Sequence, residues 1–338
     1  MSAIRFPRGR IAPESQDLID EYVVSFEAAP TTLTKYRAQL EEFAAWLHDP
    51  RARSDAALQD GSVRHATVLD VQRFMGYLRT GTRFAALNSA TAHTLSASSR
   101  KNYLSSLRSF YDFLLTVRLT DADPTNGIRT PKVKTTPGFR IGRDELEQLL
   151  ATQGSARERI VTYLLVFTAA RTGALCALRW DDVDFPSRTL LLQGKGDTPH
   201  PVSIHPRLMT ELRRWYVHQQ DQAEHNPNLA TALDTPDTNL VLLTRSGKPL
   251  APGAVRKQLK RRAANAGLYV LESAHGEHRS RVSPHAIRRS VATLLLNAGH
   301  PLDAVADVLH HIRTDTTRRH YAFSSHERRR ATIEAILE

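Results

Sequence analysis

The sequence predicts a mainly helical chain of two domains, α+β in class, with one small antiparallel β-sheet in the second domain. Three observations predict it. Apolar residues recur three and four positions apart over much of the 338 residues, the spacing that gathers them on one helix face. Two apolar stretches flank the turn Gly194-Lys195-Gly196-Asp197 and read as a β-hairpin. Between Asp121 and Gly142, Pro124, Gly127, Pro131, Pro137 and Gly138 forbid a continuous helix. These breaks place a linker at 121–141, between a helical domain at 1–120 and a second domain at 142–338.

The elements follow in order. Leu33, Tyr36, Leu40, Phe43 and Leu47 form a helical stripe, with Thr31 or Thr32 available to cap it. The polar stretch 48–65 reads as a loop. Val68, Val71, Phe74, Met75 and Leu78 mark a helix that stops near Gly81, and Tyr103, Leu107, Phe110, Tyr111 and Leu114 mark a longer one. Together they predict a bundle of about four helices. In the second domain, Gly142-Arg143-Asp144-Glu145 opens a helix that Leu146, Leu149 and Leu150 continue, and an apolar helix covers 160–170. The hairpin strands fall at 189–193 and 201–204. Helices follow at 206–221 and 252–265, with a short strand at 239–244 between them. Three more helices cover 284–298, 301–310 and 324–337, with Tyr321 just before the last.

Composition narrows the partners. Lys and Arg number 46 against 35 Asp and Glu, a net charge of +11. Such an excess favours polyanions through counterion release, so nucleic acid comes first and an acidic membrane surface second. A well-solvated basic surface is the plain alternative. No apolar run approaches a membrane span, and residues 1–10 lack a signal-peptide hydrophobic region, so a cytosolic, reducing compartment is expected. The lone Cys176 sits in an apolar run and reads as a small core residue.

Four settings carry candidate chemistry. Arg171 interrupts an apolar segment, so its charge is expected near-buried, with Asp181 or Asp182 as a purely structural partner. Lys195 stands between two glycines at a hairpin tip, where a backbone can approach a ligand closely; a solvated lysine is the alternative. His285 and Arg288 follow Ser283-Pro284, a helix-start signal, and residues three apart share a face at the end where the helix dipole favours an anion. A surface pair on a basic helix would look the same. Finally, Tyr321 follows the polar tail of His310 and His311, where packing alone is the plainer role for a tyrosine taken by itself. The pair His275 and His278 suggests zinc only weakly, because it has no cysteine partners or ordered ligand spacing, so no metal is expected.

Basic residues also cluster in position. The helix at 252–265 sets Arg256, Lys257, Lys260 and Arg261 to one side, with Val255 and Leu259 facing inward, as a groove-reading helix or as a solvated face. Arg37, Arg100, Lys101 and Arg108 on the N-terminal bundle, and Lys132 and Lys134 in the linker, offer further DNA contacts.

Taken in order, these segments resemble the tyrosine recombinase (phage integrase) family over nearly the whole chain. The family pattern is an Arg before Leu-Arg-Trp-x-Asp, a hairpin Lys, His-x-x-Arg, Leu-Gly-His and a Tyr. Arg171, Lys195, His285, Arg288, His311 and Tyr321 fall on it in sequence. There are three departures. Ala174 stands where the family usually carries an acidic residue, His310 replaces the glycine before His311, and the gap from His311 to Tyr321 is one residue longer. His310 is therefore an alternative to His311.

The resemblance implies a SAM-like core-binding domain, a catalytic domain and a two-domain clamp around double-stranded DNA. It implies strand cleavage and rejoining through a 3′-phosphotyrosyl link to Tyr321, without cofactor. It also implies a homotetramer on two DNA sites, a monomer when free, and a C-terminal helix at 324–337 that packs on a neighbour or on its own domain. Integration, excision or resolution of DNA would be the outcome. A type IB topoisomerase, a non-catalytic DNA-binding protein of the same fold and, more remotely, an RNA-binding module are the competing readings.

Overall fold

The computed structural model describes residues 11–48, 61–80, 94–133, 139–193, 199–268 and 282–309. The chain divides into two compact units, Met1–Thr135 and Thr136–Glu338. Among the described residues no helix is long and apolar enough to cross a membrane.

The first unit is built on α1 (Pro13–Ser25), α2 (Pro30–His48), α3 (Val68–Thr80) and α4 (Ala97–Thr116). Proline opens α1, where its missing N–H would have had no partner anyway. Ser96 caps α4 by accepting from the Ser99 amide at 3.1 Å. Thr67 and Asp70 exchange hydrogen bonds at the head of α3. The helical stripes meet in a core of Ile19, Tyr22, Leu40, Phe43, Phe74, Leu78, Leu107 and Phe110. Phe43 and Phe74 lie edge to face with centroids 4.9 Å apart. Two buried phenols find partners: Tyr22 donates to Ser109 Oγ and Tyr111 to the Val63 carbonyl, at 2.8 and 2.7 Å. Helix α1 was not anticipated, and 63–65, within the stretch read as a loop, forms a 3-10 turn.

The segment read as a linker from 121 departs from that reading at its start. Asp123 Oδ1 accepts from both the amide and the hydroxyl of Thr125 at 2.7 Å, which closes a turn. Ile128 then joins the first unit's core, and Arg108 holds its carbonyl at 2.8 Å. Turn chemistry and one apolar anchor thus fold the beginning of this stretch onto the bundle.

Between α2 and α4 lies a buried carboxyl, Glu42, which accepts a short hydrogen bond from the Tyr103 hydroxyl through Oε2. Burial pushes its pKa from the ordinary 4.5 up to about 7, partly opposed by that hydrogen bond. Burial, and then the neighbouring Glu42, push Tyr103 upward too. A raised carboxyl pKa means that the folded state binds the proton more tightly. Its contribution to stability is therefore full below pH 4.5 and is lost as pH rises through about 7. Glu42→Gln keeps an acceptor for Tyr103 and cannot ionise, and it is expected to stabilise the first unit by about 2 kcal/mol at pH 8. Urea unfolding at pH 5 and pH 8 checks this. Equal pH dependence in the variant and the wild type would refute it.

The second unit opens with α5 (Arg143–Ala151) and α6 (Ala156–Thr168). Ser155 and Glu158 close a reciprocal capping box at the head of α6. Helix α6 ends at Ala169, whose φ of 47° is left-handed, and α7 (Thr172–Ala177) follows with Arg171 at its cap. Strands β1 (Val183–Asp184), β2 (Thr189–Gln193) and β3 (Pro199–Ser203) form an antiparallel sheet in that order. The β2–β3 register pairs Leu190 with Val202 and Leu192 with His200. Leu190 and Leu192 face the core while Leu191 faces out, the alternation a one-sided sheet requires. The tip of this hairpin, 194–198, lies outside the described residues.

Helices α8 (Pro206–Glu224), α9 (Pro227–Asp234), α10 (Pro252–Asn265), α11 (Pro284–Asn297) and α12 (Leu302–Val308) complete this unit. Leu164, Leu165, Leu178, Leu190, Leu212, Trp215, Val255, Leu259 and Ile287 share one core. The short helix α9 was not anticipated, although Asn226-Pro227 is a helix-start signal and Asn226 Oδ1 accepts from the Leu229 amide. The strand expected at 239–244 is instead reduced to isolated bridges, Arg179 to Leu240 and Leu243 to Pro249. Proline has no ladder donor to extend the second bridge, and a tight turn through Gly247, at φ 71°, closes the segment. The helix expected at 324–337 lies outside the described residues.

Candidate active site and DNA-contact surface

The candidate site is organised by α11. Ser283 caps it, accepting from the Ala286 amide at 3.1 Å, and Pro284 occupies its first position. His285 is thereby set at the helix start, exposed, one turn before Arg288. Arg288 is 5% exposed. A guanidinium so placed needs its donors satisfied, and the backbone supplies acceptors. Nη1 donates to the Ala169 carbonyl at 2.6 Å, and Nη2 makes a short hydrogen bond to the Leu309 carbonyl.

These two acceptors belong to different segments of the motif. Ala169 is the left-handed residue closing α6, two positions before Arg171. Leu309 immediately precedes His310 and His311. A small apolar cluster of Ala169, Ala292, Leu296, Val305 and Leu309 packs the same three segments together. Arg288 therefore joins the turn that leads into Arg171 to the end of the α12 segment. On the other side of α11, Ser290 Oγ accepts from the Ile141 amide at 2.6 Å and ties the helix to the segment entering α5.

Arg171 itself corrects one expectation. Its charge was expected near-buried, but it is exposed, because α6 breaks at Ala169 and the chain emerges at the surface before α7 begins. Ala174 and Cys176 are half-buried on α7. Burial pushes the Cys176 thiol up to about 11, so it is protonated at neutral pH and unsuited to act as a nucleophile. Lys195, His311 and Tyr321 lie outside the described residues, as do His275 and His278.

The candidate DNA contacts fall into two groups. Lys101, Lys132, Arg256, Lys257 and Lys260 are exposed. Arg108 and Arg261 are exposed as well but, like Arg37, hold partners within the protein. Arg37 pairs with Asp20 and lies 3.7 Å from Glu41. Arg108 holds Thr130 Oγ1 at 3.1 Å as well as Ile128. Arg100 is half-buried on α4. Arg261 pairs with Glu158 and reaches Gln258 at 2.9 Å. Lys134 lies outside the described residues. Within α10, Val255 and Leu259 point inward as expected, and so does Arg262, which sequence reasoning did not single out.

Comparison with known proteins agrees in family and in fold. The phage integrase family model matches residues 140–328, and the phage integrase N-terminal SAM-like domain model matches 19–116. The tyrosine recombinase XerC of Halalkalibacterium halodurans is 30% identical over 297 residues, 86% of each chain. The tyrosine recombinase XerD of Mycobacterium leprae is 28% identical over 317 residues, 90% of each. Among solved structures, XerH site-specific recombinase bound to difH substrate in a pre-cleavage complex superposes with a TM-score of 0.63 at 17% identity. That match covers 96% of this chain and 94% of the other. A lambda integrase tetramer bound to a Holliday junction gives 0.57 at 18% identity, covering 92% and 79%. With both family models matched in order, and relatives aligned over most of its length, the chain belongs to the phage integrase family, the tyrosine recombinases.

Proposed function

We propose that this chain recombines double-stranded DNA at specific sites by transesterification, with Tyr321 as the nucleophile. Tyr321 attacks the scissile phosphate, a 3′-phosphotyrosyl bond forms, and the 5′-oxygen departs. Attack by a 5′-hydroxyl reverses the step on the same or another strand, so the bond energy is kept and no ATP is needed. Charge accumulates on the non-bridging oxygens, and fixed cations aimed at them lower the barrier. Arg171 and Arg288 fill that role, because guanidinium stays charged: Arg171, exposed, presents a planar fork to two oxygens, while Arg288, held by two backbone carbonyls, adds fixed charge and its remaining N–H donors. His285 assists the tyrosine proton, Lys195 protonates the leaving oxygen, and His311, with His310 beside it, donates to a non-bridging oxygen.

One observation carries this reading: the Arg288 guanidinium joins Ala169 O to Leu309 O at the helix end that bears His285. Three motif segments, distant in sequence, thus meet at one anion-favouring helix start. Four protomers on two DNA sites, assembled from free monomers, are the form we infer for the reaction. Integration, excision or resolution, carried out in the cytoplasm, is the outcome it serves.

Two arginines and a lysine supply the positive charge that divalent metals supply in many nucleases. Cleavage of a nicked duplex carrying the protein's own site is therefore expected to proceed unchanged in excess EDTA. Loss of cleavage on chelation, with recovery on adding magnesium, would contradict the proposed chemistry.

A further inference from the structure

Helix α10 carries five cations in seven residues, Arg256, Lys257, Lys260, Arg261 and Arg262, and they do not share one environment. Arg262 is fully buried; its Nε and Nη2 donate to the carbonyls of Leu149 and Leu150 at 2.8 and 2.9 Å. Those carbonyls lie at the C-terminal end of α5, where helix carbonyls lack partners and the dipole favours a cation. Arg261 turns to Glu158, a buried carboxylate that also closes the cap of α6 through the Ser155 amide. Gly154 makes room for this arrangement: a Cβ there would lie 2.4 Å from Glu158 Oε2 and 3.3 Å from Arg262 Nη1. Arg256, Lys257 and Lys260 are exposed; Arg261 is exposed too, with a side chain 56% accessible, but its guanidinium is committed to Glu158 and Gln258.

We propose that Glu158, Arg261 and Arg262 are positioning residues that lock α10 against α5 and α6, and that only Arg256, Lys257 and Lys260 on this helix contact DNA phosphates. The division rests on the reading of α10 as a DNA-facing helix. A buried carboxylate held by a cap keeps Arg261 directed at α6, because releasing the arginine would take from Glu158 the guanidinium that is hydrogen-bonded to it. Arg262 fixes the same helix from the adjacent position. These two contacts, together with the inward-facing Val255 and Leu259, fix the rotation of α10 about its axis and so the direction of Arg256, Lys257 and Lys260.

The test uses the full chain and a mixed-sequence DNA duplex, with affinity measured against salt at a temperature where circular dichroism shows every variant folded. Lys260→Ala is expected to reduce the slope of log affinity on log salt by about one, the loss of one phosphate contact. Arg261→Ala is expected to leave the slope unchanged while affinity falls roughly fivefold, about 1 kcal/mol of mispositioning. Glu158→Gln should show the same fall, the double variant should be no worse than either, and Arg261→Lys should recover wild-type affinity. A slope reduced as much by Arg261→Ala as by Lys260→Ala would overturn the division, and so would wild-type affinity in both Arg261→Ala and Glu158→Gln. An unchanged slope in the triple variant Arg256→Ala, Lys257→Ala, Lys260→Ala would instead overturn the DNA-facing reading of α10, and the division with it.

Discussion

Replacing Arg288 by alanine is expected to abolish detectable strand cleavage and to destabilise the second unit by about 3 kcal/mol. The stability loss follows from the acceptors left behind. The Ala169 and Leu309 carbonyls both meet the guanidinium in a buried setting, and alanine would leave each without that donor. The activity loss follows from the proposed role, since Arg288 both supplies charge and holds together the segments bearing Arg171 and His311. Arg288→Lys separates the two effects. It keeps a positive charge, but an ammonium on a flexible stem cannot hold two carbonyls in a planar fork. Its stability should lie between alanine and wild type, with cleavage reduced by roughly 10²- to 10³-fold, the usual consequence of losing one preorganised donor. Urea unfolding and single-turnover cleavage of a nicked duplex measure both. Wild-type cleavage by Arg288→Lys would remove the fork from the account.

Tyr321→Phe is expected to lower cleavage by roughly 10⁴-fold or more, the scale of removing a nucleophile, while leaving DNA affinity essentially unchanged. The substitution deletes one oxygen, keeps the ring and removes none of the cations. Binding by counterion release depends on those cations and not on the phenol. The signature is thus a protein that binds with wild-type salt dependence and does not cut. Gel-shift titrations beside cleavage time courses measure it, and cleavage at the wild-type rate would show that another group attacks the phosphate.

The helices of this chain were legible where an apolar stripe coincided with a capping signal. Ser283-Pro284 gave the start of α11 together with the shared face of His285 and Arg288, and the alternation of Leu190 to Leu192 gave β2. What could not be read is where a stripe breaks. The apolar residues on both sides of Arg171 made its charge read as near-buried, and nothing in Thr168-Ala169-Ala170 announces the left-handed break that ends α6 two residues before the expected Ala170. The anchoring of α10 was hidden for a different reason. Glu158 and Arg261 are 103 positions apart, and a charged residue on an amphipathic helix ordinarily reads as solvent-facing. Likewise, the sequence offered Arg288 as an anion ligand through its spacing from His285, while its contacts to two backbone carbonyls appear only once α6, α11 and α12 are folded together.

Recombination by this route requires a covalent bond between Tyr321 and a DNA 3′-phosphate. The most direct measurement traps the adduct on a nicked duplex in EDTA, digests the protein, and maps the nucleotide-bearing peptide by mass spectrometry. One modified peptide is expected, containing Tyr321 joined to the 3′-phosphate, with no adduct from Tyr321→Phe. An adduct mapped to another residue, or tight binding to the protein's own site with no adduct at all, would contradict that route.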